Sequence, residues 1–168
     1  MSAGADAVGF IVATTHDSED ELTVPQAREL SRATPVFVDR VLVTHATEAE
    51  VILHLADEVG ADVIQVHGEV SQETVRSVWR GRGARRVVAV VHVTGPEAVE
   101  SAAAVAGLAD AVLLDSRTPN RLGGTGLAHD WEISRQIART LDGLRRPVIL
   151  AGGLDGANVA EAIRVVRP

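Results

Sequence analysis

Apolar strand-like runs alternate with helical stretches from one end of this chain to the other, and that alternation leaves few folds open. The strand-like runs are Ala7 to Val12, Val36 to Val43, Asp62 to Val66, Arg86 to Val93, Asp110 to Leu114 and Pro147 to Leu150. Between and after them, 3.6-residue periodicity predicts helices over Val24 to Arg32, Ala46 to Val59, Ser71 to Arg80, Pro96 to Leu108, Asp130 to Leu141 and Ala157 to Val166. Six consecutive βα units imply parallel strands, because a strand that is followed by a helix returns beside its predecessor in the same direction.

The composition agrees with strands buried on both faces. The 168 residues are 46% hydrophobic, mostly Val, Ala, Leu and Ile, with 2% aromatics and no Tyr. Such residues suit a parallel sheet under Ala-rich helices. No internal boundary interrupts the pattern, so residues 1–168 read as a single domain with enough chain for a core. Absence of Cys excludes disulfides and thiolate metal sites within the chain, and no His/Asp/Glu spacing predicts a metal site. A net charge of -7 disfavours a nucleic-acid partner. No apolar run approaches membrane-spanning length and the start lacks a basic leader, so a cytoplasmic protein without a membrane partner is expected.

Two architectures accommodate six βα units: an open doubly wound sheet, or part of a (β/α)8 TIM barrel. An open sheet normally carries a glycine-rich phosphate turn after its first strand. Here the first strand is followed by ATTHDSEDE, which is acidic and free of glycine. The polar and glycine-rich segments instead follow several strands, and in a barrel those loops converge on one mouth. The barrel is favoured.

Individual residues at strand ends then acquire candidate roles. Asp115 ends the fifth run and opens a long loop with Gly123, Gly124 and Gly126, closed by His129, Asp130 and Trp131. Asp115 reads either as a turn cap or as a chemical group at the mouth. The loop is long for a plain connection, and its glycines permit the close approach that a lid over substrate requires. Gln65 and His67 are two apart on a strand and share a face. They serve either a ligand or the backbone of nearby loops. His45 and His92 also fall at strand ends. Gly152 and Gly153 sit between the last strand and a helix, which suits a cradle of backbone N–H groups for phosphate and equally a tight turn capped by Asp155 or Asn158.

Five stretches carry a resemblance to a known family: AGADAVGF from Ala3, QVHG from Gln65, LLDS from Leu113, GGTGLAHDW from Gly123 and LAGGLDGANVAEAI from Leu150. In this order and at this spacing the chain resembles phosphoribosylanthranilate isomerase, a (β/α)8 enzyme of tryptophan biosynthesis. The resemblance implies an Amadori rearrangement of a phosphorylated aminosugar, which needs a general acid, a general base and a phosphate anchor but no metal or organic cofactor. It assigns the general acid to Asp115, substrate contacts to Gln65, His67, Gly124, Thr125 and Gly126, and phosphate binding to Gly152 and Gly153.

The chain also departs from the family pattern. The family opens with a strand reading Lys-Ile-Cys-Gly whose Cys is the base, and it ends with a strand reading Val-Asp-Val-Ser-Ser-Gly-Val-Glu. Both lie outside this sequence, whose strands match the family's second to seventh. The first loop usually carries Ser-Pro-Arg for the anthranilate carboxylate, where this chain has Ser18-Glu19-Asp20. Three functions stay open: the isomerase, a catalytically inactive phosphosugar-binding or assembly relative, and an isomerase for a different aminosugar phosphate. Little turnover is expected from this form, with Asp6 or His67 as substitutes for the base. The strands at either end, Ala7 to Val12 and Pro147 to Leu150, face a gap about two strands wide at about 4.8 Å each. A homodimer through those exposed edges, or aggregation, is expected.

Overall fold

Thr23 shows how firmly local sequence sets the element boundaries. The Gln26 amide points at the Thr23 hydroxyl, and the Gln26 side chain accepts from the Thr23 amide at 2.9 Å. This reciprocal cap, followed by Pro25 in the first turn, starts α1 (Val24–Ala33). Around it, the computed structural model describes residues 4–15, 18–116 and 131–168. They form β1 (Ala7–Val12), α1, β2 (Asp39–Thr44), α2 (Ala49–Val59), β3 (Val63–Val66), α3 (Gln72–Gly81), β4 (Arg86–Val93), α4 (Ala98–Val105) with a 3-10 turn over Ala106–Leu108, β5 (Ala111–Ser116), α5 (Trp131–Gly143), β6 (Val148–Leu150) and α6 (Val159–Val166).

The chain divides into two compact units, Met1–Val88 and Ala89–Pro168, and β4 runs from one into the other. In the first unit β1, β2 and β3 are adjacent and parallel. Their register aligns Phe10, Leu42 and Ile64 in one row and Val12, Thr44 and Val66 in the next. All six are buried, and α2 adds Ile52, Leu55, Ala56 and Val59 to the same core. Gly60 ends α2 with φ +71, the left-handed conformation that costs glycine least.

In the second unit the order is β4, β5, β6, with β5 and β6 parallel. Val91 and Val93 of β4 and Val112 and Leu114 of β5 pack against Ala98, Ala102, Ala106, Ile137 and Leu141 of the helices. Strand period 2 sends the alternate residues, His92, Leu113 and Asp115, to the face away from those helices. Both faces of β5 are nevertheless buried, as the run of branched residues implies.

β2 departs furthest from the sequence reading, while β3, β5 and β6 shift by one or two residues. Val36, Phe37 and Val38 precede β2 rather than begin it, because Pro35 O accepts from Val38 N at 3.1 Å and closes a turn there. The turn hydrogen bond holds the chain out of the ladder as far as Val38, and the β propensity of the three residues after Pro35 does not override it.

Candidate functional site

In the first unit Gln65, His67 and His45 lie at the C-terminal ends of their strands. Gln65 sits in β3 between buried Ile64 and Val66, so its side chain leaves by the opposite face. His67 follows one residue beyond β3, and its Nδ1 lies 3.1 Å from Gln65 Nε2. The two side chains are thus hydrogen-bonded along one face of the strand end. His45 occupies the equivalent place after β2. The two rings stack with centroids 5.0 Å apart and 17° between planes.

The close fit of the two strand ends depends on Gly68. A Cβ there would lie 2.6 Å from the His45 carbonyl oxygen, so only glycine lets the β3 connection pass the β2 end. His67 N donates to Thr44 O at 2.9 Å, and His45 N to Ala13 O at 3.2 Å. Thr15 Oγ1 lies 3.4 Å from His45 Nδ1, bringing the β1 end into the same polar row. The part played by Thr15 and the His45–His67 stack were not read from the sequence. A signal was present: VLVTH at 41–45 and VIQVH at 63–67 end two register-matched strands on histidine. Asp6, by contrast, precedes β1 and so lies at the other end of that strand, with its carbonyl accepting from Asp39 N.

In the second unit Asp115 is buried, with 5% of its surface exposed, near the C-terminal end of β5. Its Oδ2 is 3.6 Å from His92 Nδ1 on the neighbouring strand. That separation is too long for a hydrogen bond, and it places a titratable ring against a buried carboxyl. Burying a carboxyl rather than solvating it is costly, so a purely structural strand-end residue has little reason to be an Asp.

Gly152 and Gly153 follow β6 with φ +79 and +65, two successive left-handed residues that only glycine adopts at no steric cost. Beyond them, Asp155 Oδ1 accepts from Ala157 N at 2.8 Å and from Asn158 N at 3.0 Å. The amides preceding α6 are thus satisfied by a carboxylate from the chain itself. Asn158 turns back to donate from Nδ2 to Gly153 O at 2.8 Å. The tight-turn reading of this segment is therefore present in full, and the phosphate reading rests on the two glycine positions. Gly124, Thr125 and Gly126, with Gly123, His129 and Asp130 beside them, lie outside the described residues.

Comparison with known proteins bears on the whole length. The family model for N-(5'phosphoribosyl)anthranilate (PRA) isomerase matches residues 1–168. N-(5'-phosphoribosyl)anthranilate isomerase 2 of Methanosarcina mazei is 37% identical over 98% of this chain and 73% of its own length. The isomerase of Haloferax volcanii is 41% identical over 99% of this chain and 72% of its own. Among solved structures, phosphoribosyl anthranilate isomerase from Thermotoga maritima superimposes with a TM-score of 0.82 at 33% identity, covering 99% of this chain and 76% of that one. Another, bound to reduced 1-(o-carboxyphenylamino)-1-deoxyribulose 5-phosphate, gives 0.78 at 31% identity over 99% and 74%. The fold is accordingly α/β, an incomplete (β/α)8 type of six βα units, spanning about three-quarters of these relatives.

Proposed function

The chain belongs to the N-(5'-phosphoribosyl)anthranilate isomerase family, and from that premise we propose that its site serves the Amadori rearrangement of N-(5'-phosphoribosyl)anthranilate to the 1-amino-2-ketose, a step of tryptophan biosynthesis. The observation that carries the reading is the buried carboxyl of Asp115 near the C-terminal end of β5, the end of a parallel strand where (β/α)8 enzymes keep their chemistry.

Asp115 acts as general acid. It protonates the ribose ring oxygen as the bond from that oxygen to C1 breaks, and the nitrogen lone pair forms the Schiff base. A base then removes the C2 proton, the electron pair moves into the C1–C2 bond to give an enol-amine, and tautomerisation yields the ketone. The resemblance gives substrate contacts to Gln65, His67, Gly124, Thr125 and Gly126, and the phosphate to the backbone at Gly152 and Gly153. The scheme calls on no metal or organic cofactor. Of the two replacement bases suggested by the sequence, His67 is supported by its place at the C-terminal strand ends and Asp6 is not. The same reading sets the reaction in the cytoplasm; among the described residues no helix is long and apolar enough to cross a membrane.

The 168-residue chain contains no Cys, the residue that the resemblance assigns as base. Its turnover should therefore fall about 10²–10⁴-fold below that of a Cys-bearing relative, the usual cost of one positioned acid or base. Asp115→Asn should remove the remaining turnover, followed by loss of anthranilate fluorescence. Binding of reduced 1-(o-carboxyphenylamino)-1-deoxyribulose 5-phosphate should change little. An Asn variant that keeps most of its kcat would reduce Asp115 to a strand-end packing residue.

A further inference from the structure

Basic residues gather around one groove of the second unit. The groove has a volume of about 670 Å³, and Arg135, Arg139, Arg145, Arg146 and Arg167 line it, with Asp142 as the one acidic lining residue. Five of the chain's 16 basic residues thus meet at one place, in a molecule whose net charge is -7. Arg135 is held by Glu132. Arg139, Arg145, Arg146 and Arg167 have no ion-pair partner among the described residues.

Two of these arginines occupy backbone positions that suit glycine. Among the described residues, Ala13, Arg145 and Arg167 are the non-glycine residues with positive φ, at +58, +54 and +55. Arg145 closely follows α5, its amide donating to Asp142 O at 2.9 Å. Arg167 ends α6, its amide donating to Ile163 O at 3.0 Å. Helices commonly close on a left-handed glycine, as α2 does at Gly60. A side chain in that conformation is disfavoured, so what these two positions gain by departing from glycine is the guanidinium. Next to Arg145, Arg146 Nε is buried and without a hydrogen-bond partner among the described residues. A buried donor of this kind calls for an acceptor.

Helix ends explain part of the charge. α5 and α6 both finish at the groove, and each C-terminus carries about half a negative charge. With Asp142 added, that matches about half of the charge on Arg139, Arg145, Arg146 and Arg167. The rest is surplus. We propose that this groove binds a small polyanion with two or more linked phosphate groups, gripped by forked guanidinium contacts. A single phosphate is satisfied by one or two such forks, whereas four arginines around a groove of about 670 Å³ suit a longer ligand. A nucleic-acid strand is disfavoured by the net charge of -7. The groove includes Pro147 and Val148 at the N-terminal end of β6, while Gly152 and Gly153 follow the C-terminal end of that strand. The polyanion is therefore distinct from the substrate, and the two do not compete.

Isothermal titration calorimetry of the 168-residue chain with pyrophosphate tests this. One site with a dissociation constant of about 0.1 mM is expected, and inorganic phosphate should bind about 10-fold more weakly. Arg145→Gly and Arg167→Gly each remove a guanidinium from a backbone that glycine adopts freely. Each should therefore weaken pyrophosphate about 10-fold while leaving the melting temperature unchanged or higher. Absence of binding up to about 5 mM pyrophosphate overturns the proposal. So does an affinity that neither glycine variant alters, because the anion then sits elsewhere, Gly152 and Gly153 included. Loss of affinity accompanied by a lower melting temperature would make the two arginines structural, and overturns it as well. Tighter binding of a single-stranded DNA oligonucleotide than of pyrophosphate would overturn the small-ligand assignment in favour of nucleic acid.

Discussion

Asp62 is held by Arg40 three ways: Nε at 2.7 Å, Nη2 at 2.6 Å and the backbone amide at 3.1 Å. The side-chain hydrogen bonds from Arg40 are the largest cause that lowers the Asp62 carboxyl below its usual range, and they raise the Arg40 guanidinium in return. A carboxyl lowered in the folded state binds its proton less tightly than in the unfolded chain. Its stabilisation is thus complete above the unfolded value, about 3.9, and is lost as pH falls through the lowered folded value. Both side chains are 37% exposed, so solvent screening limits the contribution to about 1 kcal/mol or less. Asp62→Asn should therefore cost that much at pH 7 in urea unfolding. The gap to wild type should narrow from about pH 5 downward and close in stronger acid. A pH-independent gap would mean that Asp62 acts through packing alone. Residue identity was informative elsewhere too: Asp115 stood out in the sequence as an acid ending an apolar run, and it is buried near the end of β5.

At the scale of elements, β1 and β4 have the limits that their apolar runs predict, since nothing competes with strand at either end. β2 does not, because the Pro35 turn takes its first residues. The ends of β2 and β3 meet through Gly68, and this junction carries His45 and His67. Gly68→Ala would drive a methyl group into the His45 carbonyl, 2.6 Å away. Backbone cannot yield as a flexible side chain does, so the substitution should cost about 1–3 kcal/mol, as overpacking generally does. It should also shift the imidazole resonances of both His45 and His67 in nuclear magnetic resonance spectra. Unchanged stability with unchanged histidine signals would show that the two strand ends are not tightly apposed.

Across the whole molecule the net charge of -7 opposes any meeting of two copies. The strands that end the sheet, β1 and β6, are apolar, so association through their edges gains nothing from that charge. Salt should consequently strengthen dimerisation by shortening the range of repulsion, from about 30 Å at 0.01 M to about 8 Å at 0.15 M. Sedimentation at those two ionic strengths should give a dissociation constant several-fold lower in the higher salt. A constant that rises with salt would mean that ion pairs between copies hold the dimer.

Apolar runs alternating with period-3.6 stretches by themselves determined the class of fold and the order of its six βα units, because strands of a parallel sheet, buried on both faces, read as continuous runs of branched residues. Order of motifs likewise marked the family, since Gln65, His67, Asp115, Gly152 and Gly153 are read from chain position alone. Contacts between residues distant in sequence were decided only by the tertiary structure. The stacking of His45 on His67 and the approach of His92 to Asp115 depend on inter-strand register and pairing, which strand propensities leave unspecified. The exposure of Val36 and Phe37 depends on a turn hydrogen bond that outweighs their preference for strand.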